Sequence, residues 1–99
     1  MHLSDNTQIE VTYSEFGFGE FRERRAMVST EWNVSTRALE SFVERHNPFR
    51  DPWYTANQAR LNLHEEEIMI SLPGDCPQIS IEGAIAKIQE IRGQLGQWN

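Results

Sequence analysis

The stretch His64-Glu65-Glu66-Glu67-Ile68 places an imidazole beside three carboxylates, and both groups bind divalent metals. A zinc-protease helix needs a second histidine four residues after the first, so that both imidazoles face one ion. Position 68 is isoleucine, and the alternation of this segment is typical of a strand. We therefore predict no metal site, and we interpret Glu65, Glu66 and Glu67 as an exposed acidic turn.

Two further segments carry residues with potential chemistry. Gly17 and Gly19 are spaced like two glycines of a phosphate-binding loop, but such a loop leads directly into a helix and has a third glycine or a lysine. A hairpin turn fits this segment better.

Cys76 lies between Asp75 and Pro77, and a neighbouring carboxylate opposes formation of the reactive thiolate. We therefore expect no catalytic residues and no cofactor.

The segment 46–53 reads His-Asn-Pro-Phe-Arg-Asp-Pro-Trp, and its two prolines lead us to expect no helix there. Three aromatic rings nevertheless lie close together in the sequence, on Phe49, Trp53 and Tyr54. These rings either fold back over the edge of the sheet or are displayed to a partner together with Arg50. Aromatic residues and arginine dominate binding hot spots, so Phe49, Arg50, Trp53 and Tyr54 are candidate partner-binding residues.

Carboxylates form a second candidate surface. Asp5, Glu10, Glu15 and Glu20 recur in the first twenty residues, and 65–67 is the later acidic turn. If these groups lie together, they form a negative patch that attracts a basic partner. The simpler alternative is charge that only keeps the protein soluble. We include Glu65, Glu66 and Glu67 among the candidate partner-binding residues.

Length and composition limit the class of protein. The 99 residues have a net charge of −6 and a hydrophobic content of 38%, which suits one domain, 1–99, with one core. The single cysteine cannot form an intrachain disulfide, so we expect a reducing, cytoplasmic setting. We expect no membrane span and no signal peptide. The acidic balance argues against direct nucleic-acid binding, despite the arginines of 22–25.

Hydrophobic periodicity predicts the elements. A half-buried strand covers 8–13, with Ile9, Val11 and Tyr13 on one face. Residues 20–33 fit a strand or a helix, and we prefer the strand because a helix would bury two arginines. The arginine-rich start of that strand is expected at the rim of the sheet or in solvent. Two helices follow later in the chain, the first capped by Ser35 and the last by Ser80. Between them, a hairpin turns at 65–66.

This order, ββαββα, predicts a single small α+β domain in which an antiparallel sheet of about four strands is packed by two helices. The leading hypothesis for its function is a non-catalytic protein-binding domain, such as an inhibitor, an immunity protein or an anti-defence protein. It would block a basic or nucleic-acid-binding site on a larger protein partner. One alternative is a small-molecule-binding or catalytic domain with a pocket between sheet and helices, lined by Trp32, Tyr13 or a histidine. Another is a homo-oligomeric subunit, such as a homodimer, with Trp98 or 22–25 in the contact.

Overall fold

Four strands form one antiparallel sheet in the computed structural model, which describes residues 8–32, 34–45, 50–64 and 66–96. The strands are β1 (Glu10–Phe16), β2 (Glu23–Glu31), β3 (Arg60–His64) and β4 (Glu67–Pro73). Their spatial order is β1-β2-β4-β3, so β1 and β3 are the outer strands. The predicted α+β class and antiparallel sheet are therefore confirmed, and so is a strand within 20–33.

The helices are α1 (Thr36–Arg45), α2 (Pro52–Ala56) and α3 (Gln78–Gly96). The short α2 was not predicted, and the expectation that the prolines exclude a helix from 46–53 is wrong at its C-terminal end. Pro52 is the first helical residue, a position where the missing N–H costs nothing. Ser35 caps α1 as expected, because its Oγ accepts from Ala38 N–H at 3.1 Å. The last helix begins at Gln78, two residues before the predicted cap Ser80.

The hydrophobic core lies between one face of the sheet and the helices. Alternate residues of the central strands β2 and β4 point into it, and Val28 lies opposite Ile70 in the register. α3 adds apolar residues at spacings of three and four, and α1 adds Phe42. The buried hydrophobic residues are Ala26, Val28, Val34, Ala38, Phe42, Tyr54, Leu61, Ile68, Ile70, Leu72, Ile81, Ala84, Ile88, Ile91 and Leu95.

The outer strand β1 is less covered than the sequence predicted. Val11 and Tyr13 are 38% and 50% exposed, although they share a face with the core residues of β2. α3 packs over β2 and β4, and β1 is the outer strand beyond β2. The alternating pattern was therefore a correct sign of a strand but an unreliable sign of how deeply that strand is buried.

At the arginine-rich start of β2, Arg22 and Arg24 are exposed as expected, but Arg25 differs from the expectation. Arg25 is only 3% exposed rather than at a solvated rim. Its Nη2 donates to the carbonyl oxygen and the Oγ of Ser71, at 3.0 and 2.9 Å, and to the carbonyl oxygen of Gln58 at 3.1 Å. Burial lowers the pKa of Arg25, yet the three hydrogen bonds stabilise the charged form. The guanidinium thereby ties β2 to β4 and to the turn that precedes β3.

Candidate protein-interaction surface

The predicted aromatic cluster is largely part of the fold. Tyr54 lies in the core and is 5% exposed, Trp53 is half-buried, and Arg50 is exposed. Phe49 lies outside the described residues. We therefore leave Tyr54 out of the contact surface, since its ring has almost no accessible area. Of this segment, Arg50 and the outer part of Trp53 remain available to a partner.

Contacts between α2 and α3 hold Trp53 in place. The ring packs edge-to-face on Tyr54 with 5.2 Å between centroids, and the Nζ of Lys87 lies 5.8 Å from the Trp53 ring centroid. Gly83 makes room for the indole, because a Cβ there would lie 2.9 Å from Nε1. Asp51 pairs with Lys87 and accepts from Trp53 N–H at 2.9 Å. The hydrogen bond from Lys87, followed by the one from Trp53 N–H, lowers the pKa of Asp51.

The second predicted cluster is partly assembled by the fold. Glu66 is exposed at the β3–β4 turn, Glu67 is half-buried at the start of β4, and Glu65 lies outside the described residues. Glu31 lies directly opposite Glu67, and Trp32 N–H beside it donates to the carbonyl oxygen of Glu66 at 2.7 Å. Opposite residues in antiparallel strands have Cβ atoms about 5 Å apart, so these carboxylates are close neighbours.

Glu10 of β1 completes this surface. It pairs with Ser29, two residues from Glu31 on β2, and a shallow groove of about 210 Å³ lies between Glu10, Glu31 and Glu67. We call Glu10, Glu31, Glu66 and Glu67 the acidic end of the sheet. Within the described residues, none of the four carboxylates forms an ion pair with a lysine or arginine. In the part of the chain that the structure describes, no lysine or arginine therefore neutralises their negative charge.

Glu15 and Glu20, which the sequence analysis grouped with Glu10, do not join the acidic end. Glu15 and Glu20 lie at the opposite end of the β1–β2 pair, where Glu15 forms a 2.6 Å ion pair with Arg22. Asp5 lies outside the described residues. Sequence reasoning missed Glu31, because only the adjacency of β2 and β4 brings it beside Glu67. The acidic end is thus made from strands distant in sequence.

A second surface was missed altogether. Phe16, Phe18 and Phe21 lie at the β1–β2 connection and are 48%, 90% and 84% exposed. We call these three residues the phenylalanine tip. A single 3-10 turn, Gly19–Phe21, shapes it, and Gly17 has a φ of 89° at a point where a Cβ would collide with the carbonyl oxygen of Phe21. The signal in the sequence was three phenylalanines in a segment already predicted to turn.

Two groups with potential for catalysis, the Cys76 thiol and the Tyr54 hydroxyl, have raised pKa values. Burial, with a contribution from Asp75, raises the pKa of the Cys76 thiol. Burial also raises the pKa of Tyr54 to about 12. Both shifts favour the neutral forms near pH 7, whereas nucleophilic catalysis needs an activated group. Across 8–32, 34–45, 50–64 and 66–96, no three His, Cys, Asp or Glu side chains are arranged to hold a metal.

The alternative hypothesis named Tyr13 and Trp32 as residues that line a pocket between sheet and helices. Tyr13 is half-exposed on an outer strand, and Trp32 stacks with the guanidinium of Arg92 at 4.8 Å. A groove of about 470 Å³ lies instead at the end of the sheet opposite the acidic end, lined by 22–25, Gln58 and 73–75. Arginine and carboxylate side chains both line it.

No known protein family, curated protein or solved structure matches this chain. In the described ranges, no helix combines the length and the apolar composition needed to cross a bilayer.

Proposed function

We propose that this chain is a non-catalytic protein-binding domain whose acidic end occupies a basic site on a larger protein. The observation that carries the proposal is the grouping of Glu10, Glu31, Glu66 and Glu67 without a cationic partner among the described residues. Like charges opposite each other in a sheet are destabilising, so this arrangement costs the fold free energy. A basic partner would turn that cost into binding free energy.

Strand pairing gives the acidic end a fixed spacing. Glu31 and Glu67 are held by the register of two central strands, and Glu10 by the pairing of β1 with β2. Pre-positioned charges lose little conformational freedom when they bind, and they steer a partner of opposite charge during encounter. Clusters of lysine and arginine of the kind that bind nucleic-acid phosphates are the matching chemistry. We therefore propose an inhibitor, immunity or anti-defence role in the cytoplasm, exerted by blocking such a cluster.

The phenylalanine tip supports the same class of function. Phe18 and Phe21 expose most of their surface, and large aromatic side chains are typical anchors of protein interfaces. The tip lies at the other end of the β1–β2 pair from the acidic end. A large partner would contact both surfaces, with the acidic end setting the rate of association and the rings adding apolar contact area.

A capture experiment with charge-matched variants tests the proposal. Three tagged baits are added to a lysate of the native cell. They are the wild type, a variant with the four acidic-end glutamates replaced by Gln, and a control in which the exposed helix residues Glu40, Glu44, Glu82 and Glu90 are replaced by Gln. Both variants change the net charge from −6 to −2, because each loses four carboxylates. Captured proteins are quantified at low and high salt.

We expect one protein that binds the wild type and the control, is lost with the acidic-end variant, and is released by high salt. The purified partner should then lose its nucleic-acid binding when the wild-type chain is added. The proposal fails if the acidic-end variant captures the same proteins as the control at both salt concentrations. Equal loss from both variants would also contradict it, because net charge and not the acidic end would then determine binding.

A further inference from the structure

The outer strand β1 has one apolar strip that the helices leave uncovered. Val11 and Tyr13 lie opposite Val28 and Ala26, whose side chains are fully buried in the core. Opposite residues of an antiparallel pair point to the same face, so the strip lies on the helix side of the sheet. It is nevertheless 38% exposed at Val11 and 50% at Tyr13, and the guanidinium of Arg24 lies 4.6 Å from the centroid of the Tyr13 ring.

The two outer strands differ in how they are protected against further pairing. β3 has five residues, begins with Arg60, and buries Leu61 under the helices. β1 has seven residues and no proline, lysine or arginine, and its two charged residues, Glu10 and Glu15, flank an uncharged centre at 11–14. Charged or very short edges and prolines are the usual means by which proteins prevent edge-to-edge pairing. β1 therefore presents a long, open edge with an uncovered apolar strip beside it.

We infer that β1 pairs antiparallel with β1 of a second copy, so that two four-stranded sheets join into one. With the twofold axis at Thr12, Val11 of each copy lies opposite Tyr13 of the other. Glu10 then faces Ser14 of the second copy, and Glu15 faces Ile9. No like charges oppose each other along the strand. The pairing satisfies the open backbone groups of both edges and covers both apolar strips.

Charge favours the antiparallel direction for this pairing. The acidic end lies at one end of the sheet and carries four carboxylates. The formal charges at the other end cancel, and they come from Arg22, Arg24, Arg25 and Arg60 and from Glu15, Glu20, Glu23 and Asp75. Antiparallel pairing therefore places the acidic end of one copy beside the neutral end of the other and keeps the two acidic ends apart. This inference does not depend on the proposed partner, because Glu31, Glu66 and Glu67 lie outside the paired strand.

The mass in solution tests the inference. Sedimentation equilibrium of the wild type should give twice the 11.5 kDa of one chain. Val11→Lys and Tyr13→Lys each place two cations at the strand–strand contact and should give monomers. Both positions are exposed in one copy, so the circular dichroism spectrum should stay unchanged. The matched control, Asn62→Lys, puts the same charge at an exposed position of the other outer strand and should remain a dimer.

A cysteine cross-link tests the register. In a Cys76→Ser background, Thr12→Cys should form a disulfide-linked dimer under mild oxidation, because opposite Cα atoms in antiparallel strands lie about 5 Å apart, within disulfide range. Asn62→Cys is the control and should stay unlinked. A wild type that sediments as a monomer overturns the inference and would leave the open edge to a segment of another protein. A dimer that survives both lysine variants, or that fails to cross-link at position 12, overturns it as well.

Discussion

Glu31 and Glu67 lie directly opposite each other on the neighbouring strands β2 and β4, so two carboxylates face each other across the sheet. Replacing either with Gln removes the repulsion, and we expect the free energy of unfolding to rise by about 0.2–1 kcal/mol at low salt. The double variant should gain little more than either single variant, because each already relieves the same pair. Chemical denaturation measures this, and additive gains would contradict the direct repulsion.

The close approach of Gly83 to Trp53 predicts unequal effects of two glycine substitutions in α3. A Cβ at position 93 would have no neighbouring atom within 4 Å, so Gly93→Ala should stabilise the helix by about 1 kcal/mol. Gly83→Ala should give no such gain, because its Cβ would lie 2.9–3.2 Å from the indole. In a Trp53→Ala background, Gly83→Ala should recover the full helical gain. Thermal and denaturant unfolding check this, and equal gains at both positions in the wild-type background would contradict the packing.

The Asp51–Lys87 ion pair predicts a pH-dependent contribution to stability. The pKa of Asp51 is lowered in the folded state, so the pair stabilises the fold above the unfolded value of about 3.9 and loses this effect as pH falls through the folded value. Asp51→Asn keeps a good N-cap but removes the charge. We expect it to be less stable than wild type by about 0.2–1 kcal/mol near neutral pH, since the pair is partly exposed. The difference should vanish in strong acid, and a pH-independent difference would contradict this account.

The exposure of the phenylalanine tip predicts that its rings contribute little to folding. Phe18→Ser and Phe21→Ser should each change the free energy of unfolding by less than about 0.5 kcal/mol, because both rings are mostly solvated. Phe42→Ala, in the core, is the comparison and should cost about 3–5 kcal/mol. The double tip variant should keep its fold but retain less of the captured partner. A large loss of stability at the tip would instead assign the rings a packing role.

Periodic patterns in the sequence were enough to predict most of the fold. Alternation in β2 and β4, the turn between β3 and β4, and the three- and four-residue spacing in α3 are local properties that the chain shows directly. The strand in 20–33 was preferred because a helix would bury arginines, and the strand that formed buries Arg25 all the same. That outcome depends on Ser71 and Gln58, whose oxygens lie far away in sequence.

The sequence alone determined the α+β class, because side-chain periodicity depends on near neighbours along the chain. Tertiary structure alone decided which residues share a surface. The strand order β1-β2-β4-β3 and its register place Glu31 beside Glu67 and keep Glu15 away from both. The ion pair between Lys87 and Asp51 holds Trp53 against α3. Phe18 is exposed in the connection beyond the strands, whereas Tyr54 of α2 is buried in the core, and the local sequence does not distinguish the two outcomes. These are non-local contacts, and their free energies depend on pairs of residues that no short window of sequence contains.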